Sequence, residues 1–413
     1  MMTSTFRGAK GWLAAGAMTL ALAGPALAQQ ADPKWDAWLQ KSQLGPYQKN
    51  ENWDEVVANA KKEGEVVVYS STGTMLKVAE DFAKFYPEIK VKAYDLGSEK
   101  TIEKVVREHQ AGVYAADVIY SGGTEQMVFD LLPNHRIVNY VPSYLTDKIP
   151  AEHREPLLTH VIEAYGVLYN SEAHPQPPIK TIWELTEPQW KGRFSMKSPA
   201  GSLTTLMMLA AIVEHSDEMQ KAYEQHYGKK LELSPGVDNA GYEFLHRLIG
   251  NDIVISDNSS KIATAVGLRG QAKPPMAFSV IHYLTKNQSD NYANAIPYDL
   301  QPAALFSYPT YVAVAGQAPH PNAAKLFVTF LMGSKDLNGN SELKAPFRSG
   351  KSLELLQGMA AFYQIGTFSP RTDVPPPPYS EMWPKAKKLT ASPEFVKDNI
   401  AKISDFWLAE TSR

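Results

Sequence analysis

The chain has 413 residues, with 41 Lys and Arg against 44 Asp and Glu, and no cysteine. That length can bury two cores, and the lack of cysteine excludes disulfides, thiolate metal sites and a lipid anchor on cysteine. A formal net charge of -3 gives no basis for binding nucleic acid or an anionic membrane surface.

The chain opens with Arg7 and Lys10, then an apolar run over 11–23, then Gly24-Pro25 and the small residues Ala26-Leu27-Ala28. That order predicts a secretory signal peptide over residues 1–28, cut after Ala28, and hence a periplasmic protein. The run is too short to remain as a membrane span, and no later segment reaches about 18 consecutive apolar residues. Residues 29–52 are polar and read as an N-terminal extension.

From Trp53 the pattern is helix 53–62, strand 65–69, hydroxyl-rich turn 70–74, helix 75–86 and strand 89–94. This is a βαβ unit, and its polar loop lies at the carboxyl end of the first strand, where open α/β sheets take ligands. Helix 99–111, strand 116–120, the small loop 121–124 and helix 125–132 repeat the arrangement. A strand at 165–170 follows, and Ser198-Pro199-Ala200-Gly201-Ser202 leads into an apolar helix over 206–213. Ser256-Asp257-Asn258-Ser259-Ser260 precedes a helix over 261–268, and strand 276–281 ends in His282-Tyr283. Strand 308–315 and helix 322–332 come next; the tail from Ala345 reads as irregular to Pro378 and helical over 392–408.

Four loops thus combine small and hydroxyl residues at strand-to-helix junctions: 70–74, 121–124, 199–204 and 257–260. A helix start offers unpaired N–H groups and partial positive charge, small residues let an anion approach, and hydroxyls add donors. Simple capping is the other reading, since Ser, Thr, Asp and Asn are ordinary N-caps. The candidate ligand-binding residues are Ser70, Ser71, Thr72 and Gly73; Ser121, Gly122 and Gly123; Gly201 and Ser202; and Ser259 and Ser260.

Five blocks carry a family resemblance: Val66-Val67-Val68-Tyr69-Ser70; Ala116-Asp117-Val118-Ile119-Tyr120-Ser121; Gly166-Val167-Leu168-Tyr169-Asn170; Trp190-Lys191-Gly192-Arg193 with Ser198-Pro199-Ala200-Gly201-Ser202; and Tyr308-Pro309-Thr310-Tyr311-Val312-Ala313-Val314. In this order they resemble type II periplasmic solute-binding proteins of ABC importers, specifically the ferric-ion-binding branch. The resemblance implies an α/β fold of two lobes with a cleft between them and two hinge-crossing segments, near 163–170 and 302–311. Lobe 1 would combine 53–162 with 312–413, and lobe 2 would span about 165–300. It also implies a monomer that closes on a small solute and docks on an inner-membrane permease, with no cofactor and no catalysis.

In the ferric branch two adjacent tyrosines hold the metal after the strand that corresponds to 276–281. This chain has His282-Tyr283 there, Ser71-Thr72 where that branch often has a His, and Gly122-Gly123 where it often has a Glu. With Ser279 in that strand, His282 and Tyr283 join the candidate ligand-binding residues. The expected solute is a small polar anion: a phosphonate, phosphate ester or carboxylate. Ferric iron on Tyr283 and His282, alone or with a synergistic anion, is the alternative. Arg371 and Arg348 are candidate counter-charges. Tyr165, Tyr308 and Tyr311 flank the crossings, as cleft lining or as packing. An exported hydrolase is the remaining reading. Ser341-Glu342-Leu343-Lys344 and Ser256-Asp257-Asn258 fit two penicillin-recognising motifs, but in reversed order and without K-T-G.

Overall fold

The computed structural model describes residues 32–122, 124–335, 337, 351–377, 382–383 and 385–412. The expected signal peptide lies outside the described residues. Among them the strands are β1 Glu65–Ser70, β2 Lys90–Asp95, β3 Val118–Ser121, β4 Ile137–Val138, β5 Leu158–Asn170, β6 Phe194–Lys197, β7 Val254–Ser256, β8 Met276–Val280, β9 Asn294–Ala295, β10 Leu305–Ala315 and β11 Lys388–Leu389.

These strands form one path, β2-β1-β3-β10-β5-β8-β6-β7, with β4 and β11 on β10 and β9 on β5. The outer strands pair in parallel, β1 with β2 and β3, and β6 with β7 and β8. The two long central strands, β5 and β10, run antiparallel to each other and to β8 and β3 respectively. Parallel strands need helical crossovers that cover both faces. This is why β1 reads as the continuous apolar run Val66-Val67-Val68, all buried.

Two apolar cores lie along this path. The first gathers side chains from Leu39 to Val161 and from Tyr311 to Val374; the second runs from Ala164 to Tyr308. The change of core falls within β5 and β10, where Glu163 pairs with Tyr308 and the register slips between Thr310 and Tyr311. In β5 the core changes between Val161 and Ala164, and in β10 between Tyr308 and Tyr311.

Three stretches pack otherwise than expected. Residues 29–52, read as an extension, include helix Pro33–Ser42, which puts Leu39 and Leu44 into the first core. There the buried Lys325 ammonium donates to the Ser42 carbonyl, and Trp38 Nε1 donates to the Ala318 carbonyl at 3.2 Å. The tail read as irregular holds helices Lys351–Leu356 and Met359–Gln364, too short for periodicity to reveal. The expected grouping of 312–413 with lobe 1 does not describe the C-terminal segment: Trp383, Leu389, Val396, Ile403 and Trp407 join the second core. Glu214 holds that segment, accepting from Ser392 N–H at 2.7 Å and its hydroxyl at 2.6 Å.

Gly316 closes β10 against the turn at His135. A Cβ there would stand 2.1 Å from the His135 carbonyl oxygen, a backbone atom that cannot step aside. Gly316→Ala should cost about 1–3 kcal/mol or more by overpacking, whereas Gly250→Ala, facing open space, should be close to neutral. Urea unfolding of both variants checks this; equal midpoints would contradict it.

Candidate functional site

A cleft of about 390 Å³ opens where the two cores meet. Its walls come from loops at the carboxyl ends of β1, β3, β6 and β8, and its floor from β5 and β10. Of the candidate residues, Ser71, Thr72, Gly122, Gly201, Ser202, Ser259, His282 and Tyr283 line it together. Gly122 marks the closest approach: a Cβ there would lie 3.4 Å from Thr310 Oγ1 and 3.5 Å from the Thr204 methyl.

The other candidates are placed elsewhere. The buried Ser70 hydroxyl accepts from the Thr72 N–H at 3.1 Å, shaping the turn. Gly73 makes room for the Asp95 carboxylate, whose Oδ2 is 3.1 Å from the position of a Cβ. Ser121 and Ser279 are buried in their strands with unpartnered hydroxyls, and Ser260 does not line the cleft. Gly123 and Arg348 lie outside the described residues. Arg371 is buried and grips Asp373 through Nε at 2.9 Å and Nη2 at 2.8 Å, while Nη1 donates to the Met332 and Gly333 carbonyls. That fork ties the tail to the first core and does not line the cleft.

Helix starts form much of the wall. Helices Thr74–Phe85, Ser98–Gln110 and Leu203–Glu214 begin at the cleft, and in none does the N-cap side chain bond the first turn, although Thr72 Oγ1 accepts from the Thr74 N–H at 3.3 Å. Of the helices that begin elsewhere, three are closed by an N-cap side chain, Asp32 on Pro33–Ser42, Asn239 on Ala240–Gly250 and Ser392 on Pro393–Thr411, while Trp53–Glu63 and Ser216–Tyr227 are not. Asn258 also caps Ser259–Gly267, so the fourth loop is a capped one. At Leu203–Glu214 the Ser202 hydroxyl turns to Thr205 Oγ1 at 2.9 Å. The N–H groups of Leu203 and Thr204 therefore find no acceptor among the described residues. Lys197, at the end of β6, lines the same wall and makes no ion pair among the described residues.

Sequence reasoning missed Lys197, Glu163, Tyr120, Thr204 and Thr310, and left Tyr165 and Tyr308 open; all line the cleft. Tyr311 instead lines a separate cavity of about 530 Å³, with Trp383 and Glu394. On the floor, Tyr308 Oη donates to Glu163 Oε2 at 2.8 Å, and His282 Nδ1 stands 3.5 Å from Oε1. Burial pushes the Glu163 carboxyl up, but His282 and the Tyr308 hydroxyl outweigh it and hold it below the usual range. Burial raises Tyr165, Tyr283 and Tyr308, so all three are neutral phenols at neutral pH. No group of three or more His, Asp or Glu among the described residues is placed to hold a metal ion.

The family model for bacterial extracellular solute-binding proteins matches residues 77–344. The chain belongs to that family. This solute-binding protein is 26% identical over 226 residues to the phosphoglycerate transport regulatory protein PgtC of Salmonella typhimurium, covering 51% of this chain and 47% of that one. It thus spans about half the length of the curated relatives it matches. Among solved structures, iron-bound HitA from Pseudomonas aeruginosa is 17% identical with TM-score 0.60, covering 84% of this chain and 99% of that one. AfuA from Actinobacillus pleuropneumoniae, with exogenous fructose-6-phosphate bound, is 16% identical with TM-score 0.59, covering 84% and 99%. These likenesses show the fold: the two-lobed type II periplasmic binding fold of ABC-transporter solute-binding proteins. The family and its structural neighbours are binding proteins, and no helix among the described residues is long and apolar enough to cross a membrane.

The buried His160 supports the cleft from behind. Its Nε2 donates to the Leu331 carbonyl at 3.1 Å and its Nδ1 receives the Tyr120 hydroxyl at 3.0 Å. Burial brings the imidazole down to about 3. Below about pH 6.5 the unfolded chain takes up a proton that the folded chain refuses, so this residue lowers stability as acid is added, until about pH 3. Urea unfolding of His160→Gln between about pH 6 and 4 should show a shallower acid loss, by up to ~1.4 kcal/mol per pH unit. Parallel slopes would contradict the assignment.

Proposed function

We propose that this protein captures a small, anionic organic solute in the cleft and delivers it to an ABC permease. The observation that carries the reading is the wall at Lys197 and the start of Leu203–Glu214, which combines an ammonium with two N–H groups, none of the three partnered among the described residues. Such a wall suits a phosphate, phosphonate or carboxylate group. Printed names of similar proteins, phosphoglycerate transport for one and bound fructose-6-phosphate for another, are in keeping with that chemistry.

In this reading the lobes are the two cores, with Pro393–Thr411 assigned to the second, and β5 and β10 form the hinge. A ligand that touches both walls favours the closed arrangement, because only there are both sets of contacts made. Export by removal of residues 1–28, and action as a monomer, belong to the same proposal. Ferric iron on Tyr283 and His282 is the weaker reading: it requires a phenolate from a tyrosine whose burial favours the neutral phenol.

A thermal-shift screen tests this directly. Phosphate esters, phosphonates and carboxylates should include ligands that raise the melting temperature, and Lys197→Ala should weaken them about tenfold or more. Stabilisation by ferric iron alone, with a coloured complex and no response to organic anions, would overturn the proposal.

A further inference from the structure

The polar groups of the cleft divide by hydrogen-bonding sense. A hydroxyl carries one hydrogen, and a carboxylate carries none to donate. The Tyr308 hydrogen is committed to Glu163 Oε2, because the ionised carboxylate can only accept. The Tyr120 hydrogen is committed to His160. A carbonyl only accepts, so His160 Nε2 must carry the ring's hydrogen to reach Leu331, which leaves Nδ1 bare in the neutral imidazole. Two of the four tyrosines lining the cleft therefore have no hydrogen left for a ligand.

Glu163 keeps an unused acceptor. Its Oε1 has His282 Nδ1 as neighbour at 3.5 Å, beyond good hydrogen-bond distance, and that nitrogen is itself shut from solvent without a partner. The Glu163 side chain is only 20% exposed. An ionised carboxylate oxygen facing a half-enclosed cleft gains from a solute donor that reaches it. The wall bearing Lys197 and the Leu203 and Thr204 N–H groups is the reverse, rich in donors. A symmetric anion would satisfy that wall and leave Glu163 unmatched, and a second anionic group at the floor would be repelled by it.

We propose that the solute is bipolar, with an anionic group at one end and O–H or N–H donors at the other, and that Glu163 selects the donor-bearing end; this rests on the cleft being the solute site. Titration calorimetry on the full-length protein tests it with four probes: glycerol 3-phosphate, O-phosphoethanolamine, n-propyl phosphate and inorganic phosphate. The first two carry hydroxyl and ammonium donors respectively, and propyl phosphate has the same anion without them. At least one donor-bearing probe should bind tenfold or more tighter than propyl phosphate. Which of the two does so tells a polyol from a zwitterion.

Glu163→Gln should abolish that preference while leaving propyl phosphate and inorganic phosphate as tight or tighter, which also reports that the variant is folded. Equal binding of donor-bearing probes and propyl phosphate, or a preference that survives Glu163→Gln, overturns the inference and leaves the anion site standing. Should the variant not fold, the comparison of probes on the unaltered protein decides alone. Failure of every anion to bind, here and in the thermal screen, overturns the anion site and the inference together.

Discussion

Everything in the cleft depends on one antiparallel pairing, β5 with β10. Each strand begins in one core and ends in the other, and the pairing holds the two cores at a fixed spacing along the floor of the cleft. The register slip between Thr310 and Tyr311 falls where the strands leave the second core, and Glu163 and Tyr308 face each other beside it. A break in a ladder at that point bends the strand and increases its local twist, while the hydrogen bond from Tyr308 to Glu163 ties the strands beside it. The groups that form the floor are thus also the groups that join the halves.

The chemistry of the walls follows from a second constraint, that every buried polar group needs a partner. At several places away from the cleft the rule is met by side chains. Glu63 closes the start of Pro321–Met332, and Asp117 accepts from Val67 and from His320, although burial raises its carboxyl. At the cleft the N–H groups of Leu203 and Thr204 find no acceptor among the described residues, and across from them Glu163 Oε1 has no hydrogen bond of good length. Donors on one wall and a carboxylate oxygen on the floor of one partly enclosed space are the complement of a polar solute.

Much of this was legible in the sequence. The apolar runs at Val66-Val67-Val68 and along β10 announced buried strands, and the glycine and hydroxyl loops after them gave Ser71, Thr72, Gly122, Gly201, Ser202 and Ser259. What escaped were residues whose role depends on distant partners. Glu163 is one of many acidic residues until β10 sets Tyr308 opposite it, and His160 reaches Tyr120 across 40 residues. Arg371 was misjudged for the opposite reason: its partner, Asp373, stands two positions away and turns a candidate ligand clamp into a local structural fork. The family resemblance grouped the C-terminal helix with lobe 1, but its place is set by Glu214 and by the apolar side chains of Val396, Ile403 and Trp407.

The central claim is that main-chain N–H groups at the start of Leu203–Glu214 receive the anionic part of the solute. Amide chemical shifts of isotope-labelled protein, followed while an organic phosphate is added, address those atoms individually. The account predicts that the Leu203 and Thr204 signals move first and saturate together with those of the cleft residues Ser71 and Gly122. Signals at 203 and 204 that stay fixed while the ligand binds would contradict it.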